Sequence, residues 1–178
     1  MRNDLDVLTT ERMAGERIAE SHFAELCLMN RDARVMATLG GVRSSEQTRD
    51  FLAKALEHWR RHGYGIWIFR ERDRRRFVGR AGLRHVEIGG VPEVELLYAV
   101  MAEFWSIGLA TEMARALVNL GFERIGLESV VAFTLQDNLA SRRVMEKAGF
   151  SYERDIAWAG LPHVLYRLNN PTRQRLSR

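Results

Sequence analysis

Between Val94 and Leu135 the chain passes from an apolar strand through a turn of small residues into an amphipathic helix and out along a second apolar strand. No other feature restricts the fold so tightly. Leu109, Met113, Ala116, Leu117 and Leu120 share one helical face, while Val94 to Met101 and Leu127 to Leu135 read as buried strands. A strand-helix-strand crossover is right-handed and makes its two strands parallel. The two strands are therefore expected side by side, with their carboxyl ends at one edge of a sheet.

The flanking segments read as antiparallel additions to that pair. Gly65 to Glu71 and Arg76 to His85 are short, rich in Ile, Trp, Phe and Val, and separated by the charged turn Arg72-Asp73-Arg74-Arg75. Gly89-Gly90 turns the chain again into Val94 to Met101, which completes a meander. Upstream, Ser44-Ser45-Glu46-Gln47 has the form of a capping box for a helix carrying Phe51, Leu52, Ala55, Leu56 and Trp59 and stopped by Gly63. Weaker helical patterns cover Ser21 to Met29 and Asp32 to Leu39, after a first strand near Thr9 to Ile18. Downstream, a short helix from Asp137 to Lys147 stops at Gly149, and Phe150 to Trp158 with Val164 to Leu168 form a last hairpin around Ala159-Gly160. The expected fold is α+β: a mixed, mostly antiparallel sheet with one central parallel strand pair, flanked by helices. With 178 residues and no repeat or linker, one domain over residues 1–170 is expected, followed by a basic tail, 171–178.

Composition removes several classes of function. No apolar run is long enough to cross a bilayer, and Met1 to Leu8 is polar where a signal peptide is apolar, so a soluble cytoplasmic protein with no membrane partner is expected. Cys27 is the only cysteine and lies on an apolar helical pattern, which rules out an intramolecular disulfide and a cysteine metal cluster. The net charge of +4 comes from arginine, since Lys54 and Lys147 are the only lysines. The basic clusters Arg70 to Arg80 and Arg173 to Arg178 do not alternate with aromatics, so nucleic acid is not expected as a partner. His22, His58, His62, His85 and His163 show no metal-binding spacing; His58 and His62 sit beside Arg60-Arg61 and read as a solvated helix face, and no metal is expected.

Chemistry concentrates in Trp105-Ser106-Ile107-Gly108-Leu109-Ala110-Thr111, where a strand end feeds a helix start. The first helical turn leaves N–H groups without partners and carries partial positive charge, so a diphosphate can be held there, with Gly108 and Ala110 keeping the approach open. An ordinary turn in which Gly108 relieves backbone strain is the other reading.

The stretch from Glu93 to Phe150 resembles the GNAT acetyltransferase superfamily, with Trp105, Gly108 and Ala110 at the positions of its pyrophosphate loop. Ala110-Thr111-Glu112 and the run Asn138, Ser141, Val144, Glu146, Lys147, Gly149, Phe150 are similar to the ribosomal-protein N-acetyltransferases of the RimJ/RimL type. The resemblance extends more loosely to Thr10-Glu11-Arg12-Met13 and to the final hairpin. It departs at Ile107, where a basic residue is commoner, and at Glu16 and His22, where the branch has Arg and Asp.

The resemblance implies an enzyme that moves an acetyl group from acetyl-CoA to a primary amine, in a protein or peptide amino terminus or a small molecule, by direct transfer in a ternary complex. A non-catalytic acyl-CoA-binding protein of the same fold is the alternative. It further implies that backbone groups of Tyr98, Ala99 and Val100 bind the pantetheine arm, that Trp105, Ser106, Ile107, Gly108, Leu109, Ala110 and Thr111 bind the phosphates, and that Asn138 clasps the arm, although Asn138 also fits a helix cap. Glu95 is implied as general base, or as the ion-pair partner of an arginine such as Arg84. Ser141 is implied as acid or donor to sulfur, since Met145 stands where many relatives have a tyrosine; a small residue for close helix packing is the other reading of Ser141. Exposed apolar residues in the last hairpin would allow a homodimer.

Overall fold

The computed structural model describes residues 5–174. The polar start, Met1 to Asp4, and the last tail residues, 175–178, lie outside the described residues. Among the described residues, eight strands form one sheet in the order β1-β2-β3-β4-β5-β6-β8-β7. Strands β3 (Ile66–Glu71), β4 (Phe77–Ile88) and β5 (Val91–Val100) make the expected meander, with Gly89 and Gly90 at φ +60° and +80° in its second turn. That conformation is open to glycine at little cost.

Helix α4 (Leu109–Leu120) then carries the chain to β6 (Ser129–Leu135), which is parallel to β5. The pairing of β5 and β6 has one register position, Glu95 with Val131, whereas β6 pairs with β8 (Leu161–Asn169) from Ser129 to Leu135. Toward Val100 and Leu135 the parallel strands therefore share no ladder, and an opening lies between them. Helix α5 (Leu139–Lys147) and β7 (Ser151–Trp158) complete the carboxyl-terminal half, and Gly149 ends α5's turn at φ +98°.

Two boundaries differ from expectation. The single first strand is a hairpin, β1 (Val7–Thr9) and β2 (Met13–Arg17), because Thr10 N–H bonds the Met13 carbonyl at 2.9 Å and closes a turn. Apolar content alone does not register that turn, whose polar groups are held by Glu112, 102 residues from Thr10. The expected tail begins as a short helix, α6 (Pro171–Gln174), where Asn170 accepts from Thr172 N–H at 3.1 Å.

Elsewhere the local signals hold. Helix α3 (Ser45–His62) has the capping box, with Gln47 N–H donating to Ser44 Oγ and Ser44 N–H to Gln47 Oε1, and Gly63 ends it in the left-handed region. Helix α1 (Phe23–Arg31) starts and ends two residues later than its sequence pattern, and α2 (Ala33–Met36) is shorter than its own. Side chains alternate across the sheet. Arg80, Arg84 and Glu95 fall on one face, where Phe51 of α3 packs on Arg80. Tyr98 falls on the opposite face and meets α5.

Candidate active site

A cavity of about 1240 Å³ runs through the opening between β5 and β6. Its walls include Tyr98, Ala99, Val100, Trp105, Ser106, Gly108, Leu109, Ala110, Thr111, Asn138 and Ser141 at one end, and Arg80, Arg84, Glu95 and His163 at the other. The sequence-predicted residues therefore converge on one space, with one exception. Ile107 is exposed and outside the lining, and only its carbonyl is engaged, by Arg12 Nη1 at 2.7 Å.

The turn into α4 is built on left-handed backbone. Gly108 is the N-cap at φ +86°, and Ser106 also lies in the left-handed region at φ +63°. The Glu112 N–H bonds the Gly108 carbonyl at 3.1 Å, so the amides of Leu109, Ala110 and Thr111 before it have no acceptor within the helix. Trp105, half exposed, ties the turn to β5 by donating Nε1–H to the Val100 carbonyl at 2.8 Å. A cation from elsewhere in the chain stands beside this turn: Arg12 pairs with Glu112 at 2.6 Å and lies 3.4 Å from where a Gly108 side chain would begin. That cation could not be read from the loop's own sequence.

At Asn138 the capping reading is realised: Oδ1 accepts Ser141 N–H at 3.2 Å, and Nδ2–H donates to Thr134 Oγ1 at 2.9 Å. One Nδ2 hydrogen is left over for another acceptor. Ser141 Oγ lies 2.7 Å from the Tyr98 hydroxyl, which also reaches the Ser141 carbonyl at 3.1 Å. Burial pushes Tyr98 up to about 12, so its proton is held well above neutral pH. The sequence reading used only the Tyr98 backbone; the hydroxyl reaches a site where Met145, fully buried, offers none.

Glu95 is 5% exposed and takes a hydrogen bond from Arg84 Nε at 2.6 Å. Desolvation raises its pKa above the ordinary carboxylate range and prevails over Arg84 and Arg80, which pull the other way. The expected ion pair with Arg84 is formed, and it coexists with the raised pKa. Near the first helices, the departures Glu16 and His22 meet at 3.2 Å, and Arg70 bridges Glu16 to Glu25.

One reading needs correction. His58 and His62 do not form a solvated face: with His85 from β4, their ring nitrogens gather within 4.8 Å. His58 Nδ1–H donates to the Tyr64 carbonyl at 2.8 Å and Nε2 accepts His85 N–H at 3.0 Å, so neither nitrogen is free for a metal. The trio brackets α3 to the meander, and burial lowers the pKa of His58 and of His85.

Residues 15–151 match the family described as acetyltransferase (GNAT) domain. The chain is similar to a Bacillus subtilis protein, the uncharacterized N-acetyltransferase YoaA, at 28% identity over 151 residues, covering 83% of this chain and 84% of that one. Among solved structures, an acetyltransferase from Agrobacterium tumefaciens gives a TM-score of 0.80 at 22% identity over 95% of this chain and 97% of its own. RimL, a ribosomal-protein alpha-N-acetyltransferase solved in complex with coenzyme A, gives 0.76 at 20% identity over 92% and 97%. At such identities the two structures speak for the fold. Among the described residues, no helix is long and apolar enough to cross a membrane.

Proposed function

The chain belongs to the acetyltransferase (GNAT) domain family, a family of acyltransferases, and from that premise we propose that it moves an acetyl group from acetyl-CoA directly to a primary amine in a ternary complex in the cytoplasm. The acceptor class comprises protein or peptide amino termini and small-molecule amines. When bound, acetyl-CoA supplies an acetyl group activated as a thioester; overall, a C–N bond forms and a C–S bond breaks.

The observation that carries the reading is the unpaired stretch of β5 and β6 opening onto the start of α4. A side chain at Gly108 would narrow that approach, and glycine is what its φ of +86° favours. The amides of Leu109, Ala110 and Thr111 suit a diphosphate, with Trp105, Ser106 and Ile107 shaping the turn. Tyr98, Ala99 and Val100 lie on the stretch of β5 that does not pair with β6 and would run beside a pantetheine arm, the Val100 carbonyl being already taken by Trp105, and Asn138 lines the same space. The cavity also exceeds what one drug-sized ligand occupies, which suits two reactants.

Glu95 takes the acceptor's proton at a carboxylate oxygen, a task for which its raised pKa is suited. Ser141 Oγ holds the proton destined for the leaving sulfur, and the Tyr98 hydroxyl beside it can replace that proton. Strand amides of β5 present fixed dipoles where negative charge develops. A thiol-release assay with acetyl-CoA and an amine panel tests this reading. Turnover by the wild type, lost in Glu95→Gln and Ser141→Ala while coenzyme A still binds, is expected. Binding of coenzyme A without turnover of any amine contradicts it.

A further inference from the structure

The end of the cavity remote from Gly108 contains a buried charge without a hydrogen-bonding partner. Arg80 is 5% exposed, its Nε has neither solvent nor an acceptor, and its guanidinium makes no hydrogen bond or ion pair among the described residues. It rests 4.0 Å over the ring of Phe51, and Arg43 approaches the same ring at 5.8 Å. Burial, with Arg43 and Arg84 nearby, brings Arg80 down to about 9, although the charge of Glu95 pulls the other way. Glu95 is the only carboxylate in the cavity's lining among the described residues, and it is already paired with Arg84.

A buried guanidinium left unpaired is costly, because water is removed and nothing replaces it. Here the missing partner has room to enter, since Arg43, Phe51 and Arg80 all line the cavity. The guanidinium fork matches a carboxylate in shape and charge. Along the sheet, Arg80 pairs in register with Ala99 and Arg84 with Glu95, so Arg80 and Glu95 share a face and are four positions apart along adjoining strands.

We propose that the acceptor amine itself bears a carboxylate, held by Arg80 with Arg43 beside it while the amino group is presented to Glu95. The proposal rests on the acetyl-transfer reading for the role of the amine and on Arg80 for the carboxylate. Polycationic acceptors, such as polyamines and aminoglycosides, meet the wrong charge. The carboxylate has two sources, the α-carboxylate of a free amino acid or an acidic side chain at a peptide's amino terminus.

Calorimetry on the enzyme saturated with coenzyme A tests this without requiring turnover. L-leucine is compared with leucinamide, and an aspartyl-alanine amide with its asparaginyl counterpart. In one pair the carboxylate-bearing member is expected to bind at least about 30-fold more tightly, as befits a buried hydrogen-bonded charge pair. The pair that discriminates identifies the source. Arg80→Met should abolish that preference, leave coenzyme A affinity unchanged, and keep or raise the melting temperature, because an apolar side chain replaces an uncompensated charge. Should Arg80→Met not fold, Arg43→Met must still weaken the preference. Equal or absent binding of both members in both pairs, tighter binding of spermidine, or an Arg80→Met effect confined to coenzyme A overturns the inference. If the preference holds but no amine is acetylated, the transfer reading fails and the carboxylate site stands.

Discussion

The two ends of the cavity are made from different materials. Around residues 105–111 and the start of α5, the groups on offer are chiefly main-chain amides, organised by Gly108, by Trp105 on the Val100 carbonyl and by Asn138 on Ser141 N–H. At the other end they are side chains, Arg43, Arg80, Arg84, Glu95 and His163, delivered by separate segments. Main-chain geometry is set by a few consecutive residues, whereas a side-chain cluster exists only once strands are in register. The first end suits a ligand shared across the family, and the second suits the partner that distinguishes one member.

Substitutions can break this division. The largest effect is expected at Glu95: Glu95→Gln should lower kcat roughly 10²- to 10⁴-fold, the range for a positioned base, with the coenzyme A melting shift intact. A loss below tenfold would move proton removal elsewhere. Ser141→Ala comes next, at about 10²-fold in kcat. Tyr98→Phe removes the hydroxyl's contacts with Ser141 Oγ and the Ser141 carbonyl and should cost no more than about tenfold. If Tyr98→Phe proves the more damaging of the two, the tyrosine and not the serine is the donor.

The pH profile sharpens the same comparison. A base works ionised, so kcat/KM should fall as pH drops through the raised pKa of Glu95, placing the acid limb above the ordinary carboxylate range. Arg84 holds that pKa down, so Arg84→Gln should move the limb further up. A limb that moves down would contradict the assigned pair. The smallest effect belongs to Arg12. Its side chain is 46% exposed and shared with Glu112, so Arg12→Ala should weaken coenzyme A binding only about two- to fivefold, read by calorimetry.

How much of this was legible in the sequence follows from the same contrast. The meander, the crossover and the capping box at Ser44 are local patterns, and each formed where its residues indicated. The hairpin at Thr10 was hidden because its turn is completed by Glu112 on α4. Likewise, the guanidinium of Arg12 reaches the Ile107 carbonyl from far away in the chain. Period-two alternation directs the Tyr98 side chain away from Glu95, but its contact with Ser141 arises only once α5 packs on that face of the sheet. Arg80 had no sequence signal at all: it is one arginine in a basic stretch, and its burial depends on Phe51 and on the sheet. The histidine trio needed His85, which the i, i+4 spacing of His58 and His62 cannot supply.

The most direct measurement is the melting temperature with and without coenzyme A, for the wild type and for Gly108→Val. A ligand that binds only the folded state stabilises it by mass action, by about 2.7 kcal/mol at a hundred times its Kd. The wild type should show a saturable rise. Gly108→Val should show none, since valine is disfavoured at φ +86° and its branches would enter the approach beside Arg12. An undiminished rise in a folded Gly108→Val protein would place the diphosphate somewhere other than the turn before α4.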